Sequence, residues 1–134
     1  MSASLRAWFD GYVDAFNRSD FEGFGAYYAE DVEFVGQAAE LYGRKAVLDF
    51  YRTVKSRMTE VLAVRQFVGA DDRIGVEIET RLQALVVWPD FPTGPLDAGQ
   101  KIGVISFVFY DIRDGRFTRV RSAGYQRRLG EWLS

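Results

Sequence analysis

The stretch YVDAFNRSDFEGFGAYYAEDVEF, Tyr12 to Phe34, reads as two amphipathic helices running into a strand. Leu5, Trp8, Phe9, Tyr12 and Phe16 fall on one helical stripe, so Tyr12 points into whatever the first helix packs on. Burying a phenol without a partner costs roughly 1–3 kcal/mol, so its hydroxyl must meet another polar group or a ligand. The first helix is predicted from about Ser4, as N-cap, to about Asn17. Asp20 caps a shorter second helix carrying Phe21, Phe24, Tyr27 and Tyr28, which Gly23 and Gly25 weaken. Val32, Phe34 and Val35 then suggest a strand, and Gly36 to Gly43 a loop or short hairpin.

Beyond it a third helix starts near Arg44, with Val47, Phe50, Tyr51, Val54 and Met58 on one inward face. From Glu60 the period changes to two, with β-branched and aromatic residues between turn signals. Strands are predicted over Glu60 to Gly69, Arg73 to Trp88, Lys101 to Ile112 and Arg116 to Gln126. Short hairpin turns fall at Ala70-Asp71-Asp72 and Asp114-Gly115. Pro89 to Gly99 holds all three prolines and is the one long excursion, of the kind that serves as a lid or contact surface. Helices followed by a long-stranded antiparallel sheet predict an α+β domain in which a strongly curved sheet wraps the helices into a cone. The chain carries 11 Phe, 7 Tyr and 3 Trp, more than so small a core needs, and the surplus is available to line a cavity at the mouth of the cone.

At 134 residues the chain is read as one domain over 1–134. Its 48% apolar and 27% charged content, with no long apolar run and no secretory pattern at the start, predicts a soluble, cytoplasmic protein without a membrane partner. With 17 basic against 19 acidic residues and no block of either sign, nucleic acid is not an expected partner. The absence of cysteine and histidine excludes disulfides, thiolate nucleophiles, Ser-His triads and Cys/His zinc sites. No phosphate-cradling glycine motif is present, and carboxylate metal sites are open to the chain but have no support in its sequence, so no cofactor and no metal are expected. Asn17-Arg18-Ser19 matches a glycosylation sequon but ends a helix, and it carries no weight.

The stretch Tyr12 to Phe34, GRKAVLDFY at Gly43 to Tyr51 and FYDIRDGRFTRVRSAGY at Phe109 to Tyr125 together resemble the nuclear transport factor 2-like superfamily. That group includes SnoaL-like polyketide cyclases, ketosteroid isomerases and limonene epoxide hydrolases. The resemblance covers nearly the whole chain and implies the cone fold; it is less specific for an activity. By resemblance to ketosteroid isomerase, Tyr12 falls on the catalytic tyrosine, and Tyr28 and Tyr51 on two tyrosines that form a hydrogen-bonded chain behind it in some members. Equally, the three are core tyrosines that satisfy one another. Two positions depart from that family: its general-base aspartate aligns with Gly36 and its protonated aspartate with Val108. Glu40 is either a relocated base or a solvated loop carboxylate.

In limonene epoxide hydrolases the strand equivalent to Val76–Leu85 carries an arginine and an aspartate, and the last strand a second aspartate; here these become Arg81, Gln83 and Ser122. Period two puts Glu77, Glu79, Arg81 and Gln83 on one face. Alternation alone turns that face outward and Val76, Ile78, Thr80 and Leu82 inward; the resemblance implies the opposite. In the second case Tyr12, Arg81, Gln83 and Ser122 form a polar floor in a pocket that includes Phe50, Val108 and Trp88, with Glu79 as candidate base.

The expectation is a cofactor-free isomerase, cyclase or lyase acting on a hydrophobic carbonyl compound, steroid-like or polyketide-like. The alternatives are a non-catalytic small-molecule-binding or dimerisation module and, less favoured, an epoxide hydrolase-like enzyme. The resemblance further implies a homodimer through the outer face of the sheet, where Phe107 and Phe109 alternate with Ser106, Val108 and Tyr110.

Overall fold

The computed structural model describes residues 2–36, 39–92 and 94–132. The chain runs α1 (Ser2–Asn17), α2 (Phe21–Gly25), β1 (Tyr28–Val35), β2 (Glu40–Tyr42), α3 (Arg44–Arg57), β3 (Met58–Ala70), β4 (Arg73–Ala84), β5 (Lys101–Arg113) and β6 (Arg116–Leu129). One six-stranded sheet has the order β2-β1-β6-β5-β4-β3, antiparallel throughout except where β1 lies parallel to β6. The fold is the expected α+β cone of the nuclear transport factor 2-like type. Among the described residues no helix is long and apolar enough to cross a membrane.

The first stripe packs as its period requires. Phe9, Tyr12, Ala15 and Phe16 of α1 are buried, with Leu5 and Trp8 partly buried beside them. The helix begins at Ser2, ahead of Ser4, so Ser4 is not its cap. Asp20 does cap α2, its Oδ1 accepting from Gly23 N at 2.9 Å. That helix is shorter than predicted and Tyr28 opens β1 instead of closing α2. Gly25 allows the short helix to lie against α3, since a Cβ there would meet Leu48 Cδ1 at 2.9 Å. Residues 37 and 38 of the predicted Gly36–Gly43 hairpin lie outside the described residues.

The helix α3 passes into β3 without a loop, so Met58, assigned from its period to the helix, is the first strand residue. Breaks of register between Val64 and Gln66 on β3, between Ile105 and Ser106 on β5, and between Asp111 and Ile112 bend the long strands around the helices. Asp114 and Gly115 both have positive φ, +53° and +70°, as a two-residue type I′ hairpin demands. The strand β4 stops at Ala84, short of Trp88. Trp88 and Leu96 exchange two backbone hydrogen bonds of 2.9 Å, and both side chains are buried with Val54, Met58, Leu82 and Ile102. The excursion therefore folds back so that Trp88 and Leu96 pair and close a second, smaller core, while the larger core lies under α1.

Candidate functional site

Between the two cores lies a cavity of about 460 Å³, inside the range that holds a small organic molecule. Its walls are Phe50 and Val54 of α3, Phe91, and residues of the sheet that include Phe34, Ile78, Leu82, Ile102, Val104 and Val108. Polar residues are few: Tyr12, Tyr51, Tyr110 and Tyr125; Glu60; Thr80, Ser106 and Ser122; and Gln126 and Arg127.

Five of the site residues expected from the sequence line this cavity: Tyr12, Phe50, Tyr51, Val108 and Ser122. Tyr28 stands one layer behind them. The hydroxyls of Tyr12 and Tyr28 are 2.6 Å apart and buried, which satisfies the phenol of α1. Tyr51 packs edge-on to Phe16 and Phe34, and no hydrogen bond joins it to Tyr28 among the described residues, so the chain of three tyrosines is a pair with a neighbour. Burial pushes the Tyr12 phenol well up, the charge that Tyr28 would carry pushes it further, and Tyr28 and Tyr51 are raised in the same way, first by burial. All three therefore keep their protons at neutral pH and act as hydrogen-bond donors.

The polar face of β4 is not in the cavity. Ile78, Thr80 and Leu82 face inward, which turns Glu79, Arg81 and Gln83 to the outer side. The inward assignment drawn from the resemblance is thereby corrected. A guanidinium between Ile78, Leu82 and Ile102 would lose its hydration, whereas on the outer side Arg81 keeps 39% of its side chain exposed and donates to Glu79 Oε1 at 3.1 Å. Gln83 donates to Gly99 O, and Trp88 belongs to the second core. Glu40 is exposed on β2 and accepts from Tyr42, so it is the solvated carboxylate of the two readings. Gly36 lines the cavity where the family's base would sit, and a Cβ there would come within 2.6 Å of Ser122 Oγ.

The carboxylate of this cavity is Glu60, which the sequence reading used only to mark the start of a strand. It shares the inward phase of Leu62 and Val64 on β3, a period-two signal that becomes readable once the strand is known to start at Met58. Asn17 fixes this part of β3 against α1. Its side-chain amide donates to Leu62 O at 3.0 Å and accepts from Leu62 N at 2.8 Å, much as a neighbouring strand would. Glu60 as a whole is partly buried, but its Oε1 is shut off from solvent and has no hydrogen-bond partner among the described residues. Burial pushes its carboxyl up to about 7, against a smaller opposing pull from Lys55. Its charge is felt in turn at Tyr12, Tyr28 and Tyr51. The cavity thus joins a carboxyl that changes charge near neutral pH to a phenol that does not, within apolar walls. Among the described residues no group of carboxylates is arranged to hold a metal ion.

Among curated protein sequences none matches this chain. Solved structures share its fold. A candidate polyketide cyclase of Xanthomonas campestris pv. campestris is 29% identical with a TM-score of 0.72, covering 87% of each chain. A SnoaL-like polyketide cyclase of Agrobacterium tumefaciens is 18% identical with a TM-score of 0.73 over 91% of each. An LEH-like epoxide hydrolase of M. tuberculosis is 12% identical with a TM-score of 0.71 over 89% of this chain and 80% of that one. The match to the SnoaL-like domain extends over residues 9–120, from the first buried phenylalanine of α1 to the last buried valine of β6, and the chain belongs to that family.

Proposed function

We propose that this protein is an acid–base enzyme that moves a proton next to a carbonyl group of a hydrophobic ring compound, in an isomerisation, ring closure or elimination, using side chains alone. The observation that carries this reading is the presence of Glu60 and Tyr12 in one cavity. Ionised Glu60 takes the proton α to the carbonyl. Tyr12, accepting from Tyr28, donates to the oxygen on which negative charge develops, and Glu60 returns the proton at a second carbon. A positioned base of this kind contributes about 10²–10⁴-fold, and a buried donor to the oxyanion ~2.7–4 kcal/mol. Glu60 so takes the role that Gly36 cannot fill, and Tyr12 acts without the second acid that Val108 has replaced.

The apolar walls support a hydrophobic ligand, and the hydroxyls of Thr80, Ser106 and Ser122 favour one with oxygen on the edge that faces the sheet. None of these hydroxyls has a side-chain hydrogen bond to protein among the described residues. A hydrocarbon edge would leave them dry, at about 1–3 kcal/mol each. Steroid-like and polyketide-like rings remain the substrate classes proposed. Incubating the protein with cyclic β,γ-enones and with hydroxylated aromatic polyketides, followed by chromatography, tests the reading: conversion by the wild type and none by Glu60→Gln is expected. Binding without conversion by either protein would favour the second reading, a small-molecule-binding module, which the missing acids at Gly36 and Val108 support. The epoxide-opening alternative loses its support with Arg81 on the outer face.

We propose in addition that two copies pair through the outer face of the sheet. Phe107, Phe109 and Tyr125 are each more than half exposed there, and the rings of Phe107 and Tyr125 stack with centroids 4.9 Å apart.

A further inference from the structure

Lys55 lies near the end of α3, and its ammonium turns inward against two other elements. It donates to Phe16 O at 2.7 Å in the last turn of α1, to Ser19 Oγ at 3.2 Å just beyond that helix, and to the backbone oxygen of Glu60 at 3.2 Å on β3. It also sits 4.2 Å from the centroid of the Phe16 ring. An ammonium has three donors, and here all three are used on protein atoms, where a surface lysine would leave them to water. The residues it holds border the cavity: the Phe16 ring packs on Tyr51, and the Glu60 side chain lines the wall.

We infer that Lys55 is a positioning residue for Glu60: it ties the backbone that carries the carboxylate to the end of α1 and sets a positive charge beside it. The inference rests on the reading of Glu60 as the base. The other titratable groups that interact with Glu60 are the phenols of Tyr12 from α1, Tyr28 from β1 and Tyr51 from α3, all neutral at physiological pH. Arg127 of β6 also lines the cavity, and Lys55 is the charge that opposes the effect of burial on the carboxyl. Burial in turn lowers the lysine, while Glu60 holds it up, so each ion favours the charge of the other. An α3 that lost this contact would leave Glu60 protonated over more of the neutral range and its carboxylate less firmly aimed.

The test is a carbon-13 NMR titration of the Glu60 carboxyl in the free protein, its signal assigned by its disappearance in Glu60→Gln. Wild type, Lys55→Met and Lys55→Arg are compared. In Lys55→Met the midpoint should rise by about half a pH unit or more, roughly a threefold fall in the ratio of ionised to protonated carboxyl, and Lys55→Arg should restore it. Should Lys55→Met fail to fold, Lys55→Gln, which keeps two donors without the charge, makes the same comparison. An unchanged midpoint in a folded, neutral variant, even one with a lowered melting temperature, would reduce Lys55 to a structural strut and overturn the inference. A wild-type midpoint at the ordinary glutamate value would instead overturn the reading of Glu60 as the base.

Discussion

Replacing Glu60 with glutamine removes a carboxyl that the folded protein holds protonated up to about pH 7 and the unfolded chain releases near 4.5. Between those values the unfolded state binds fewer protons than the folded one, so wild-type stability falls as pH rises through this window. The loss is complete above the folded value. Each pH unit between the two values is worth about 1.4 kcal/mol, which gives a loss of about 3 kcal/mol on passing from pH 4 to pH 8. Glutamine keeps the shape without the ionisation and escapes this loss. Any fixed cost of its amide is the same at every pH and cancels in the comparison. With an unfolding entropy of about 2.1 cal/mol/K per residue, the variant should gain about 10 °C in melting temperature relative to wild type across that range. Thermal melts of both proteins from pH 4 to pH 8 measure the difference directly. Parallel profiles would refute the reasoning, because they would mean that the Glu60 carboxyl ionises as freely in the folded protein as in the unfolded chain.

Other expectations concern the tyrosine pair and the outer face. Tyr12→Phe leaves the buried Tyr28 hydroxyl without its partner and should cost about 1–3 kcal/mol in urea denaturation. The double variant with Tyr28→Phe should recover part of that loss, since no buried hydroxyl of the pair is then left unmatched. Arg81→Met should cost about 1–2 kcal/mol by leaving Glu79 buried without its partner, while the affinity of 2-naphthol for the cavity, followed by fluorescence, stays within twofold. Weaker binding in that variant would return Arg81 to the site. Sedimentation should show a dimer for the wild type and a folded monomer for Phe107→Glu; a monomeric wild type at micromolar concentration would contradict pairing through this face.

The helical part of the cone was legible because its signals are local. The stripe from Leu5 to Phe16 and the cap at Asp20 are both short-range, and both lie where the sequence puts them. The Tyr12–Tyr28 contact joins residues 16 apart on different elements, and only resemblance brought them together. The site itself was harder to read, for two reasons. On β4 two arguments conflicted, alternation against family likeness, and alternation prevailed because on the outer side Arg81 keeps both water and the Glu79 carboxylate, where among Ile78, Leu82 and Ile102 it would lose its hydration. On β3 the phase was hidden at the junction with α3, where neither glycine nor proline marks the change from a period of 3.6 to a period of two. Without that boundary Glu60 could be counted as a strand residue but not as an inward one. The 2.6 Å approach that a Cβ at Gly36 would make to Ser122 depends on the parallel pairing of β1 with β6, which no local pattern reveals.

The central claim is that Glu60 removes a proton α to a carbonyl held in the cavity. Proton–deuterium exchange of 2-tetralone in D2O, followed by NMR, tests it without knowledge of the natural substrate. The account predicts exchange faster than in buffer alone, falling on the acid side of about pH 7 as Glu60 is protonated, and abolished in Glu60→Gln. Exchange no faster than buffer while 2-tetralone is bound, or equally fast in Glu60→Gln, would contradict it.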